Sequence, residues 1–303
     1  MSHMLVSGLI NIETTARIDG FPIEYTPVRY PFWGVSSTVS GVGYNVAKAL
    51  TTLGVSIRFT SLIGQDLQAQ LVYAQLKADN IPAGFVIQEL DQTSQSVILY
   101  DGDGKRMINV DLKNVQECPY PPVLFEQAAA DVDLAVLCNV NFSRPFLATM
   151  KARGIPIVTD VHAIADMESA YDSDFMAAAD ILFMSHENLP CAPDEWIRRL
   201  WDRYGTAIAV IGLGGEGALL GVRADNLIMR VPAVYTRPVV NTIGAGDALF
   251  SSFIYGYQQT RDPVAALKQA VVFASYKIGE TGAAQGFLDA AGLAEWMARV
   301  AAT

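Results

Sequence analysis

The sequence predicts an α/β fold: a doubly wound, mostly parallel sheet flanked by helices, with a small β-sheet inserted. Three observations lead there. From Asp133 onward, short apolar runs (Leu134–Leu137, Ile155–Asp160, Ile181–Met184, Ala207–Ile211) alternate with helical stretches, the rhythm of βα units on a parallel sheet. Two stretches, about 14–39 and 84–111, lack helical period and are rich in β-branched and aromatic residues or short strand-like runs. The 303 residues, 51% hydrophobic and 17% charged, suffice for one large core carrying such an insertion.

Along the chain, Met1-Ser2-His3-Met4 reads as a cloning remnant, and Leu5–Ile10 as a buried strand ending at Asn11-Ile12-Glu13. After the first insertion a helix is expected over about Tyr44–Leu53, with Gly54 at its C′ position. Ile57–Ile63 reads as a strand. Leu67–Asp79 reads as a helix with Leu67, Leu71, Ala74 and Leu76 apolar. In the second insertion Val86-Ile87, Ser96–Tyr100 and Arg106–Val110 read as strands, and Asp101-Gly102-Asp103-Gly104 as a hairpin turn. Two apolar helices, about Ala245–Gln259 and Pro263–Ile278, precede an amphipathic one near Asp289–Val300. The expected division is a core of 5–13, 40–83 and 112–303 and a β lid of 14–39 and 84–111. Ligands of such sheets bind at the carboxyl ends of the strands, where an insertion can cover them.

Composition narrows the function. A net charge of −10 leaves no broad basic face for nucleic acid. No apolar run approaches the ~20 residues that cross a bilayer, and the N-terminus has no charged region followed by an apolar one, so a cytoplasmic location is expected. Cys118, Cys138 and Cys191 are odd in number and far apart, which argues against a disulfide framework or a cysteine zinc site. An anionic ligand must be held by backbone amides, a divalent cation and a few local cations.

Three glycine-rich segments compete for such a ligand. Gly212-Leu213-Gly214-Gly215-Glu216-Gly217 spells a dinucleotide fingerprint, but that motif needs a helix next. Ala218–Val222 reads as a strand, so a hairpin turn is expected. Ser40-Gly41-Val42-Gly43-Tyr44-Asn45 opens a helix and lets backbone come close to a neighbour. Asn241-Thr242-Ile243-Gly244-Ala245-Gly246-Asp247 opens a long apolar helix, with paired glycines that let amides converge at its positive end and a carboxylate in its first turn. Capping accounts for Asp247 alone, not for the paired glycines.

These landmarks, in this order over essentially the whole chain, resemble the ribokinase-like (PfkB) carbohydrate kinase family. Asn241–Asp247 is similar to its D-T-x-G-A-G-D motif, and Ser40–Asn45 with Val46-Ala47 to its G-G-x-x-x-N-x-A segment. Asp160 resembles the Asp ending a central strand. The resemblance implies a kinase moving the γ-phosphoryl group of ATP to a hydroxyl of a sugar or nucleoside. Asp247 would be the general base, with the amides of Gly244, Ala245 and Gly246 as the anion hole. Asn11, Glu13, Gly41, Gly43 and Asn45 would hold the acceptor. Gly214, Gly217, Thr242, Ala274 and Gly282 would border the nucleotide.

Several positions depart from the family pattern: Asn241 and Glu13 stand where Asp is usual, Ser40 where Gly is, and Gly212 where Thr is common. Ser185-His186-Glu187-Asn188 replaces an N-x-x-E element tied to magnesium, leaving Glu187 as the nearest carboxylate. The resemblance implies Mg²⁺ with ATP. The family's potassium site would lose a charge with Asn241, so little dependence on a monovalent cation is expected. Val42 adds no cation to its loop, which favours a neutral sugar over a phosphosugar, with a nucleoside as the alternative. A catalytically weak ligand-binding homologue is the reading from another class. Tyr25, Tyr30, Phe32, Trp33 and Tyr44 crowd the first insertion and the loop after it, either stacking on a ligand or packing the lid's own core. An exposed lid edge would suit a homodimer.

Overall fold

The computed structural model describes residues 3–102 and 104–302. Its chain runs through β1 (His3–Ser7), β2 (Asn11–Arg17), β3 (Val35–Ser40) and α1 (Val42–Thr52). Next come β4 (Ser56–Gly64), α2 (Leu67–Ala78), β5 (Phe85–Leu90), β6 (Gln95–Tyr100) and β7 (Arg106–Asp111). The βα units follow: α3 (Pro122–Ala128), β8 (Leu134–Leu137), α4 (Arg144–Ala152), β9 (Ile157–Ala163), α5 (Ser173–Ala178), β10 (Ile181–Ser185) and α6 (Pro193–Tyr204). Last are β11 (Ile208–Gly212), β12 (Ala218–Val222), β13 (Leu227–Val231), α7 (Ala245–Thr260), α8 (Pro263–Lys277) and α9 (Ala290–Ala301).

Nine strands form the large sheet in the order β13-β12-β11-β10-β9-β8-β1-β4-β5. The strands from β11 to β5 pair in parallel, and β12 and β13 are antiparallel additions. A parallel sheet must be covered on both faces, and the period of two along each strand feeds two cores. Met4 and Val6 of β1 join α1, α2, α7 and α8 on one face, while Leu5 joins α3, α4, α5 and α6 on the other. From β1 the chain moves outward through β4 to β5, then resumes on the other side of β1 at β8. Strand order therefore reverses between β1 and β8, and the crevice beyond their carboxyl ends is where such sheets take ligands.

The small sheet runs β3-β2-β6-β7, with β2 and β6 parallel and both outer pairs antiparallel. Two boundaries differ from expectation. Phe85–Leu90, assigned to the insertion, is the edge strand of the large sheet, because Val86 and Leu90 bury themselves beside β4. Asn11–Glu13, assigned to the core, begins β2 of the small sheet. His3 and Met4, read as part of a remnant, belong to β1, while Met1 and Ser2 lie outside the described residues. The β6–β7 hairpin forms with Tyr100 opposite Arg106; Asp103 in its turn also lies outside the described residues. The aromatic residues divide. Tyr25, Tyr30, Phe32 and Trp33 are exposed and pack no lid core, whereas Tyr44 is buried and donates to Asp79.

Candidate active site

The segment Asn241–Asp247 forms the turn that starts α7. Gly244 caps the helix with φ of 75°, and a Cβ there would lie 2.3 Å from the Ala283 carbonyl oxygen, so both conformation and space require glycine. No side chain caps α7. The Ala245 amide closes the turn by donating to Thr242 O at 3.2 Å, while the Gly244 and Gly246 amides have no protein acceptor among the described residues. Two of the three expected anion-hole donors are therefore free, and the third is engaged. Asn241 is buried and ties the turn together: its Oδ1 accepts from Ile243 N at 3.0 Å, and its Nδ2 donates to Thr281 O at 2.6 Å.

Gly43 lies so close to Gly8 that a Cβ would meet the Gly8 carbonyl carbon at 2.3 Å. Its role in the fold is to let α1 press onto the end of β1; Gly41 caps that helix beside Leu9. This approach fixes Asn45 one turn along α1, where its Nδ2 donates to Asp247 Oδ2 at 2.6 Å. Residues 202 positions apart thus meet over the strand reversal.

A second carboxylate joins them. Ser40, at the end of β3, donates to Glu13 Oε2 at 3.0 Å and lies 3.3 Å from Asn45 Oδ1. Asn11 donates to Ser96 Oγ at 3.0 Å. Glu13 and Asn11 are 6% and 5% exposed; the Ala283 backbone amide also faces the Glu13 carboxylate, but neither Glu13 Oε1 nor Asn11 Oδ1 has a hydrogen-bond partner within normal geometry. Buried acceptors left open in this way need a donor from outside the protein. Ligand hydroxyl groups are such donors.

The environment sets the protonation of these groups. Burial pushes the Asp247 carboxyl up to about 6; nearby Asp160 adds to the rise, while the Asn45 bond, His162 and Lys277 oppose it. Burial also raises Glu13, against the Ser40 bond, with Asp247 raising it further. Asp160 lies near the end of β9 and accepts from the His162 amide at 2.8 Å, and His162 takes φ of 59°, a left-handed conformation uncommon outside glycine. Lys277 ends α8 fully buried, its ammonium donating to Ile243 O. Burial lowers it to about 8.

The nucleotide candidates lie apart along the chain. Gly214 and Gly217 occupy the turn between β11 and β12, and the following strand is antiparallel, as expected for a hairpin rather than a dinucleotide fold. Ala274 is half-buried on α8, which packs against β12, and Gly282 lies in the loop after α8. Thr242 is held from across the molecule: Arg106 of β7 donates to its carbonyl at 3.1 Å and its hydroxyl at 2.8 Å. Glu187 is exposed after β10, its amide donating to Ser185 Oγ. Among the described residues no three His, Cys, Asp or Glu side chains converge to hold a metal.

Sequence reasoning missed Ser96, His162, Arg106, Lys277 and the linking role of the Ser40 hydroxyl. Only Lys277 carried a signal, as an isolated cation near the end of an apolar helix. The arrangement pairs an open carboxylate with free amides at a helix N-terminus, which can accept a proton from a hydroxyl beside a bound anion. Similarity to known proteins decides the class, since the pfkB family carbohydrate kinase profile matches residues 1–290.

The chain belongs to the pfkB family of carbohydrate kinases.

This kinase is 25% identical over 296 residues to the acarbose 7(IV)-phosphotransferase of an Actinoplanes species, covering 96% of this chain and 97% of the relative. It is 25% identical over 290 residues to the ATP-dependent ribose-1-phosphate kinase of Halopiger xanaduensis, covering 93% and 94%. Among solved structures, a microbiome-derived acarbose kinase superposes with a TM-score of 0.88 at 25% identity, covering 98% of this chain and 99% of that one. Ribokinase from Thermotoga maritima shares the fold with a TM-score of 0.80 at 16% identity, covering 98% and 99%. The kinase is thus an ATP-using phosphotransferase with an alcohol acceptor on a ribokinase-like fold. No helix among the described residues is long and apolar enough to cross a membrane.

Proposed function

We propose that this kinase phosphorylates a hydroxyl of a neutral sugar, with Asp247 as the general base. One observation carries the reading: Asn45 links Asp247 to a buried acceptor wall, Ser40–Glu13–Asn11, whose Oε1 and Oδ1 atoms are open. In the transfer the acceptor oxygen forms a bond to Pγ while its proton passes to Asp247. The bond from Pγ to the bridging oxygen breaks, and ADP leaves. The free amides of Gly244 and Gly246 face charge on the transferring group, aided by the positive end of α7. Magnesium carried with ATP would offset charge on the β- and γ-oxygens. The small sheet acts as the lid that keeps water from competing as acceptor.

Neutrality of the acceptor follows from the wall's chemistry. Glu13 and Asn11 offer acceptors, and the buried cation nearby is already bound to a carbonyl. A phosphosugar would bring a dianion toward two carboxylates. The acarbose-directed relatives support a neutral or multi-ring glycoside. Val97 and Met107, exposed on the outward face of the small sheet, and the wholly exposed edge strand β7 support pairing of two copies through the lid.

The test is an ATP-consumption screen over monosaccharides, acarbose and maltooligosaccharides, nucleosides and phosphosugars. A neutral sugar or glycoside should be preferred; preference for a phosphosugar or nucleoside would overturn the acceptor assignment. With the accepted substrate, Asp247→Asn should cost roughly 10²–10⁴ in turnover with ATP affinity nearly intact.

A further inference from the structure

Lys277 is the buried charge that the mechanism above leaves unused. It is fully buried at the end of α8, and no carboxylate of the described residues lies within ion-pair distance of it. Its ammonium donates instead to the carbonyl of Ile243, the residue just before the Gly244 cap. An unpaired cation is costly inside a protein, and a methionine or leucine would fill the space without that cost. The charge therefore answers a need of its surroundings. The groups that face it are Asp247 of α7, Glu13 of β2 and Glu280 beyond α8, which favour the ammonium, and Arg106 of β7, which opposes it. Two of the three carboxylates are the proposed base and its neighbour in the acceptor wall.

We propose that Lys277 is a positioning residue, a tethered cation that pins the Ile243 carbonyl so that the Gly244 and Gly246 amides stay aimed at the transferring group. The same charge offsets Glu13 and Asp247, allowing Asp247 to be ionised as an anionic nucleotide arrives. A small bound ion at this turn would do the same two things. With an ammonium covalently delivered there, and with the Asn241 oxygen already accepting from Ile243 N, the turn needs no dissociable monovalent cation. The inference rests on the reading of Asp247 as the base.

The experiment compares the unsubstituted kinase with Lys277→Met and Lys277→Ala, each in potassium, ammonium or tetramethylammonium at equal ionic strength. The unsubstituted protein should turn over within about threefold in all three salts. Lys277→Met should lose about 10²-fold in kcat, the scale of a misaimed anion-hole donor, with acceptor KM changed far less. Lys277→Ala should lose as much and recover about tenfold or more in potassium or ammonium, which fit the vacated space. The alkaline fall in kcat/KM expected above about pH 8 for the unsubstituted protein should vanish in potassium-rescued Lys277→Ala, because potassium does not titrate. Strong potassium stimulation of the unsubstituted kinase would overturn the inference even if neither variant folds. So would a Lys277→Met variant as active as its parent, or a folded, inactive Lys277→Ala that no small cation rescues. Undiminished turnover by Asp247→Asn would instead overturn the base assignment.

Discussion

Asp247 meets opposing influences: desolvation and a second acid, Asp160, disfavour its charge, while the Asn45 amide, His162 and Lys277 favour it. A general base is most effective when its pKa lies just below working pH, and a value of about 6 meets that condition. The base acts only when ionised, so kcat/KM should fall as pH drops through about 6, and the residual rate of Asp247→Asn should lack that limb. A pH–rate profile from pH 5 to 8 on both proteins checks this; a flat profile for the parent would remove Asp247 from the role. Glu13 presents a related test. Shortening it by one methylene in Glu13→Asp withdraws it from Ser40 and from the ligand. Acceptor KM should rise roughly fivefold, the scale of one hydrogen bond of about 1 kcal/mol, with KM for ATP unchanged. Equal KM values in mutant and parent would show that Glu13 does not touch the acceptor.

At the scale of elements, the site depends on how closely α1 and α7 approach the strand reversal. Gly8 and Gly43 pack backbone on backbone, and Gly244 packs against Ala283. Neither contact adds chemistry, yet each sets where a side chain of the proposed site falls. Gly244→Ala adds a Cβ to a residue at φ of 75°, 2.3 Å from a carbonyl oxygen. It should cost about 1–3 kcal/mol of stability and lower kcat more than either KM, because the turn carrying the free amides must shift. Denaturant unfolding alongside steady-state kinetics measures both effects, and a neutral outcome in both would mean that the turn tolerates displacement. Arg106 shows the complementary case, an element reaching in from outside. Its contacts with Thr242 fasten the exposed edge strand β7 to the turn before α7.

For the whole molecule, the informative feature is an edge strand with no buried residue. All six residues of β7 are exposed, including Met107, Ile108 and Val110. An apolar edge of this kind invites pairing with another copy. Sedimentation at micromolar concentration should report a dimer, and Ile108→Lys with Val110→Lys should shift it to monomer. A parent protein that sediments as a monomer would leave β7 as the free rim of the lid.

The α/β class, the hairpin at Gly214–Gly217 and the helix opening at Asn241–Asp247 were legible in the sequence, because each rests on local physics. Apolar period marks βα units, a strand after Gly217 excludes a dinucleotide turn, and paired glycines before a helix mark converging amides. Phe85–Leu90 could not be assigned to its sheet from its residues, since β-propensity is alike for both sheets and only pairing with β4 separates them. The candidate site could be proposed from the sequence as a set of residues but not as a set of contacts. Ser40 looked like a departure from a glycine position, and only the proximity of β3, β2 and α1 makes its hydroxyl the bridge from Glu13 toward Asn45. Lys277 and Asp247 lie on successive helices, and nothing in their spacing says that one charge faces the other. Hydrogen bonds and buried charges act over a few ångströms in space, whereas the patterns a sequence displays act over a few residues along the chain. Tertiary structure alone converts the second into the first.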